Sequence, residues 1–100
     1  MNAFGKAIQE AKLAKGFTLD QLAKKVGTYK GYISGWCSGN VNPPSAKLVK
    51  KVAKVLELDE KRLLVLSFTE KAPKEIKEFL RKAALAALDA EEADKKLVQV

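Results

Sequence analysis

Histidine is absent from this sequence of 100 residues, and cysteine occurs once, at Cys37. Zinc sites are usually built from several histidine and cysteine ligands, and Ser-His or Cys-His catalysis needs an imidazole base. The composition therefore argues against a metal site and against those enzymes, and we expect neither an enzyme nor a cofactor. A lone cysteine cannot form an internal disulfide, which fits a reducing compartment.

Long apolar runs and strand patterns are also missing. No stretch approaches the roughly 20 apolar residues that a helix needs to cross a bilayer, and the N-terminus lacks the pattern of a signal peptide. We therefore expect a cytoplasmic protein with no membrane partner. No segment alternates apolar and polar residues for long, whereas apolar residues recur at helical spacing. The sequence predicts an all-α fold.

What the sequence does contain is an excess of positive charge, which lies in one half of the chain. The net charge is +7; residues 1–56 hold ten lysines and two acidic residues, whereas residues 57–100 hold nine basic and ten acidic residues. Such asymmetry favours a polyanionic partner, nucleic acid before membrane. The alternative is that these lysines, including the pairs at 24–25 and 50–51, form ordinary solvated faces.

Helical periodicity and capping residues divide the chain into six helices. We predict them at about 3–15, 19–25, 29–38, 46–56, 60–66 and 73–90. Thr18, Ser45 and Asp59 are predicted N-caps, and glycines end the first and third helices. The predicted organisation is a domain over 1–66, a linker over 67–72, a C-terminal helix over 73–90 and a frayed charged tail over 91–100.

The segment 15–64 carries a recognisable arrangement of motifs. "GFT" precedes the second helix, "LAKKVG" crosses the turn, "YISGW" lies in the third helix, and "SGNVNPPSAKLVKKVAKVL" leads into the fourth. This arrangement resembles the helix-turn-helix domain of the phage repressor and Cro type, the Xre family. The resemblance implies a compact five-helix domain, with an additional C-terminal helix here. It also implies a transcription regulator that binds duplex DNA, usually as a dimer on a near-palindromic site.

The resemblance also implies site residues. The N-terminal part of the third helix touches base edges in the major groove in such proteins, which places base contacts at Lys30, Gly31, Ser34 and Gly35. DNA backbone contacts fall on Thr18, Tyr29, Tyr32, Asn40, Asn42, Lys47 and Lys50. The two tyrosines have an equal alternative, which is packing beside the turn. Lys6 and Lys12 are expected to extend the basic surface.

Glycines recur every four residues at positions 27, 31, 35 and 39. We interpret Gly31 and Gly35 as an outward face that lets the helix backbone approach a partner surface closely. If both are helical, replacement by alanine should stabilise the free protein by about 0.5–1 kcal/mol. Two base-reading positions carry glycine, and Leu19 stands where many family members have glutamine. These departures from the family pattern support a second hypothesis. In that hypothesis the chain is a protein-interaction module on a helix-turn-helix fold, with weak or non-specific DNA binding.

The sixth helix is predicted to mediate homodimerisation. Its apolar residues follow helical spacing and form a stripe too apolar for open water. The stripe predicted to form the dimer contact consists of Ile76, Phe79, Leu80, Ala83 and Ala87. Ala84 and Leu88 share the same helical spacing. The alternative is that this helix packs back on the first and fifth helices. No small-molecule effector is identifiable from the sequence.

Overall fold

The computed structural model describes residues 2–98, with side chains through residue 94, and this part of the chain is all helical. The six helices are α1 (Ala3–Lys15), α2 (Leu19–Val26), α3 (Lys30–Ser38), α4 (Ala46–Leu56), α5 (Glu60–Glu70) and α6 (Lys74–Val98). The prediction of an all-α fold is confirmed. None of the helices in the described part of the chain has the length and apolar content to cross a membrane.

Side-chain caps fix where several helices begin. Asn2 Oδ1 accepts a hydrogen bond from the Gly5 amide at 2.6 Å at the start of α1, and Asp59 Oδ1 accepts one from the Arg62 amide at 2.8 Å at the start of α5. Ser45 occupies the N-cap position of α4, but its side chain makes no capping hydrogen bond. Each capping bond satisfies an amide that has no partner within the helix, so the predicted starts at residues 3 and 60 are explained by local chemistry.

The apolar sides of α1–α5 meet in one core. Trp36 lies at its centre, where its indole ring meets Phe4 edge-on with the ring centroids 6.1 Å apart. The other large, fully buried side chains include Ile8, Leu22, Ile33, Val49, Val52 and Leu63. Such close packing holds α2 and α3 in a fixed relative orientation. We call α1–α5 the five-helix body.

The end of α5 differs from the prediction. The helix continues to Glu70, so the predicted linker 67–72 is reduced to a short turn at residues 71–73. Ser67 is buried and its hydroxyl donates to the Leu64 carbonyl, while the Thr69 hydroxyl donates to the Val65 carbonyl. The sequence predicts a linker at these polar residues, but Ser67 and Thr69 complete their hydrogen bonds within the helix.

α6 packs antiparallel to α5 and is longer than predicted. It continues to Val98, whereas the sequence suggested an end near residue 90 and a frayed tail over 91–100. Lys61 Nζ pairs with Glu91 Oε1 at 3.0 Å, and Arg62 pairs with Asp89. These ion pairs hold the charged part of α6 against the start of α5. Residues 99 and 100 lie outside the described residues.

Candidate nucleic-acid interface

α2 begins at a reciprocal cap. The Gln21 amide donates to Thr18 Oγ1 at 3.1 Å, and the Thr18 amide donates to Gln21 Oε1 at 2.9 Å. The cap leaves the amides of Leu19 and Asp20 among those that have no acceptor within the helix. Thr18 is exposed, so the positive end of α2 faces solvent with free donors. A helix N-terminus of this kind favours an anion such as a phosphate group.

The turn between α2 and α3 depends on Gly27. Its φ of 78° lies in the left-handed region, and its amide donates to the Ala23 carbonyl at 2.9 Å. Glycine adopts this conformation without the steric cost that a Cβ atom brings. The turn sets the angle between the two helices, and Tyr29 then occupies the N-cap position of α3.

One side of α3 is sealed into the core. Ile33 and Trp36 have no exposed surface, and Cys37 is also buried. Trp36 Nε1 has no hydrogen-bond partner in the part of the chain that the structure describes. Tyr32 is half-buried and lies edge-on to Trp36, with the ring centroids 4.9 Å apart. The inner side of α3 therefore serves packing.

The other side of α3 faces solvent near its N-terminus. Lys30, Gly31 and Ser34 are exposed, and a Cβ atom on Gly31 would meet only the Tyr29 ring at 3.6 Å, an ordinary van der Waals distance. The ring of Tyr29, which is 67% exposed, stacks on that of Tyr32 with a centroid separation of 5.8 Å. A polar and sterically open surface thus lies at the start of α3, where the sequence predicted base contacts.

Gly35 does not share this open surface, contrary to the prediction. It is half-buried, and a Cβ atom there would lie 2.9 Å from Val41 Cβ and closer still to one of the Val41 methyl groups. The Val41 amide donates to the Gly35 carbonyl at 3.1 Å, which holds the loop over the helix. Gly27 and Gly39 have positive φ and lie outside α3. The four glycines therefore do not form one contact stripe, because only Gly31 is both helical and open.

Polar residues of the loop after α3 are exposed as well. Asn40 and Asn42 are exposed, and the Asn40 amide donates to Ser38 Oγ at 3.3 Å. Pro43 and Pro44 are buried and anchor the loop before α4, where Lys47 and Lys50 are exposed. The structure thus places the predicted backbone-contacting residues of this loop and of α4 at the surface.

Sequence reasoning missed two charged residues. Asp20, in the first turn of α2, lies with Oδ2 3.9 Å from Lys30 Nζ, so an acidic group stands beside a predicted base contact. Lys12 was expected to extend the basic surface but is only 7% exposed. Burial raises the pKa of the Cys37 thiol, and the charge of Lys12 opposes part of that increase. The periodicity of α1 carried a signal for Lys12, since position 12 follows Ile8 by four residues on the apolar side.

Comparisons with known proteins agree with this geometry. A family model described as Helix-turn-helix matches residues 8–63, a span that contains all of α2 and α3. The crystal structure of SinR, the master regulator for biofilm formation, in complex with DNA is 33% identical; the match covers 61% of this chain and 97% of that chain, with a TM-score of 0.57. A structure of a SinR protein/SinI protein complex is 26% identical over 96% of each chain, with a TM-score of 0.61. The search of curated proteins returned no match.

Proposed function

This chain belongs to the helix-turn-helix family of the Xre type, and on that premise we propose that it is a transcription regulator that binds specific sequences of duplex DNA. The family and the two similar structures are those of DNA-binding regulators, not enzymes. The observation that carries the proposal is the division of α3, whose inner side is sealed while Lys30, Gly31 and Ser34 remain open. A helix held in this way can enter the major groove without disturbing the core.

Direct reading of bases rests on few side chains. Lys30 supplies a long cationic donor suited to the O6 and N7 acceptors of guanine, and Ser34 supplies a hydroxyl that donates or accepts. Gly31 supplies no side chain but allows the backbone to lie close to the groove. Gly35 is left out of the proposed base contacts because Val41 lies over it.

Phosphate contacts are proposed around this helix. The free amides at the start of α2 beside Thr18 form one anion site, and the exposed side chains of Tyr29, Asn40 and Asn42 flank α3. Lys47 and Lys50 add cationic groups on α4. Tyr32 contributes less to phosphate binding, because its ring packs against Trp36. Contacts of this kind position the protein on the duplex, while base contacts determine the sequence.

Selection of bound sequences from a random duplex library tests the function. We expect a preferred sequence, and at that site Lys30→Ala should weaken binding by about 1–3 kcal/mol if the lysine reads guanine. Lys74→Ala, which makes the same charge change on exposed α6, is the matched control and should leave sequence preference unchanged. Equal binding by Lys30→Ala and its parent at the best site would remove Lys30 from the base contacts.

The alternative is a protein-interaction module with weak or non-specific DNA binding. The exposed apolar residues of α6 favour it, as does the similarity to a SinR protein/SinI protein complex along almost the whole chain. If no motif emerges from the selection and affinity is the same for all duplexes, this alternative replaces the regulator.

Homodimerisation is proposed through the exposed side of α6. Ile76 is 44% exposed, Phe79 72% and Leu80 37%, and Ala83 is also exposed, whereas Ala84 and Leu88 are half-buried. We call Ile76, Phe79, Leu80 and Ala83 the α6 apolar face. A face of this kind gains stability when a second helix covers it.

Sedimentation of the full chain tests this interface. Phe79→Glu should convert dimer to monomer, because it places a charge in the middle of the α6 apolar face. Lys82→Gln changes the net charge by the same amount on a polar part of α6 and should leave the dimer intact. A Phe79→Glu protein that stays dimeric and folded would place the dimer contact elsewhere.

A further inference from the structure

Lysines cluster on the exposed side of α4 and at the end of α2. Lys47, Lys50, Lys51 and Lys54 are exposed on α4, and Lys24 and Lys25 are exposed in the last turn of α2, which packs against α4. Among the side chains that the structure describes, no carboxylate forms an ion pair with any of these six. Four of them, Lys24, Lys25, Lys51 and Lys54, have no place in the contacts proposed above, and we call these four the lysine face.

The charge pattern of α4 is unfavourable in the free protein. Lys47 and Lys51 are four residues apart, as are Lys50 and Lys54, so like charges lie one turn apart along the helix. α4 contains no acidic residue to relieve them, and Lys47 lies in the first turn, where the helix dipole disfavours a cation. The core does not require this pattern, because α4 packs through its apolar side. A polyanion laid along the helix would attract each of these lysines and so offset their mutual repulsion.

Lys51 connects the lysine face to the helix-turn-helix unit. A Cβ atom on Gly27 would lie 3.3 Å from Lys51 Nζ, so this ammonium group rests at the turn that leads into α3. On the α2 side, Lys25 Nζ lies 5.2 Å from the centroid of the Phe17 ring, within the range of a cation–π contact that orients the side chain. The lysine face therefore adjoins the surface proposed to meet DNA.

We infer that the lysine face contacts phosphates of the same bound duplex, beyond those reached by α3, Lys47 and Lys50. The inference rests on the proposed function and adds to it a sequence-independent contact surface. Duplex DNA fits this face because it presents about one negative charge per 1.7 Å of helix axis. Lysines one helical turn apart are about 5.4 Å apart, so the duplex offers more phosphate charges than the lysines along the helix need. Each such contact releases counterions and makes affinity depend more steeply on salt, without distinguishing sequences.

The salt dependence of duplex binding by the full chain tests this surface. We compare Lys51→Gln/Lys54→Gln with the matched control Lys74→Gln/Lys82→Gln on α6, using a duplex of about 30 base pairs at several salt concentrations. The lysine-face variant should show a slope of log K against log[salt] that is shallower by about 1 to 2, and affinity at low salt about fivefold lower or more. Its thermal unfolding midpoint should be unchanged or higher, because like-charge repulsion is removed.

Three outcomes would overturn the inference. Equal slopes for the variant and its control would show that the lysine face makes no phosphate contact. If Lys51→Gln/Lys54→Gln loses binding to polyglutamate but keeps the parent's salt slope for duplex binding, the lysine face binds an acidic protein instead of DNA. A parent chain that binds no duplex at any salt would remove the proposed function and this inference together. If Lys51→Gln/Lys54→Gln is unstable, Lys24→Gln tests the same surface. The slope of log K against log[salt] should then become shallower by about 0.9.

Discussion

α3 and α6 each have an apolar side, but their surroundings differ. Trp36 on α3 has no exposed surface, because it lies in the core where α1 and α2 pack against α3. Phe79 on α6 is 72% exposed, because α6 packs against α5 through a different side. Burial of apolar surface contributes about 25 cal/mol of stability per Å². The apolar side of α3 is already buried within its own chain, whereas the α6 apolar face would be buried only against another chain.

The exposed sides of α3 and α6 differ in charge and polarity. α3 offers Lys30 and Ser34 to solvent, within the half of the chain that holds the whole excess of positive charge. α6 offers the α6 apolar face, within a half whose charges nearly balance. A polyanion complements the first surface and an apolar helix complements the second. The comparison therefore separates the sites proposed for DNA and for a second copy of the chain.

Substitution of one aromatic residue on each helix gives the largest contrast. Trp36→Ala should lower the free energy of unfolding by about 3–5 kcal/mol, because it removes a large side chain from the centre of the core. Phe79→Ala should change that of the monomer by less than about 0.5 kcal/mol, because most of its ring is in water. Urea unfolding at a protein concentration that keeps both variants monomeric measures the difference.

A large loss of monomer stability in Phe79→Ala would contradict this contrast, since it would mean that the body encloses the ring. Trp36→Phe serves as an intermediate control. It keeps an aromatic ring in contact with Phe4 and removes an indole N–H that has no partner among the described residues. It should therefore cost less than Trp36→Ala.

Two glycines of α3 give the next contrast. Gly35→Ala should lower the free energy of unfolding by about 1–3 kcal/mol, because the added methyl group overlaps Val41. Gly31→Ala should raise it by about 0.5–1 kcal/mol, because the space around Gly31 is open and alanine favours a helix. Thermal unfolding of the two variants measures both signs.

The contact with Val41 supplies the control for this pair. Combining Gly35→Ala with Val41→Ala should recover part of the lost stability, since the overlapping methyl groups are removed. If Gly35→Ala stabilises the protein by itself, the loop moves away at little cost, and the original prediction for Gly35 would be restored.

Local signals in the sequence accounted for most of the body. The predicted boundaries of α1 and α4 match the structure, and those of α2 and α3 differ by one residue, because capping residues and glycines mark those helix ends. The predicted end of α5 at residue 66 is too early because the polar residues Ser67 and Thr69 suggest a linker, although residues 67–70 contain no glycine or proline to end the helix. The end of α6 was missed because the ion pairs with α5 that support it join residues about 30 positions apart.

The candidate site was predicted less completely. Helical spacing placed Lys30 and Ser34 outward, but it gave no information about the loop that covers Gly35, since Val41 reaches it by a backbone turn. The apolar residues of α6 cover a wide arc of the helix, so helical spacing alone could not tell which of them meet α5. Ala84 and Leu88 lie toward the interior, whereas Ile76 and Phe79 do not.

The caps of α2 and α4 give a smaller contrast within the body. Thr18→Ala should lower the free energy of unfolding by about 1 kcal/mol, because it removes the hydroxyl that accepts from the Gln21 amide. Ser45→Ala should cost clearly less, because the Ser45 side chain makes no capping hydrogen bond. Chemical denaturation of both variants checks the difference, and equal losses would mean that Ser45 also caps in solution.

The smallest effect concerns the acidic residue beside the start of α3. Asp20 and Lys30 are both about two-thirds exposed, and their charged atoms are 3.9 Å apart, so their coupling in a double-mutant cycle of unfolding should be less than about 1 kcal/mol. Duplex binding should respond differently, because Asp20 repels phosphates and competes with a base for Lys30. Asp20→Asn should therefore raise affinity for all duplexes a fewfold at low salt, with a smaller gain at high salt.

Glu10→Gln is the matched control, because it removes the other acidic residue of the first half of the chain, on α1. A fall in affinity for Asp20→Asn would instead show that the carboxylate positions Lys30 for binding, and Asp20 would then count among the residues that support recognition.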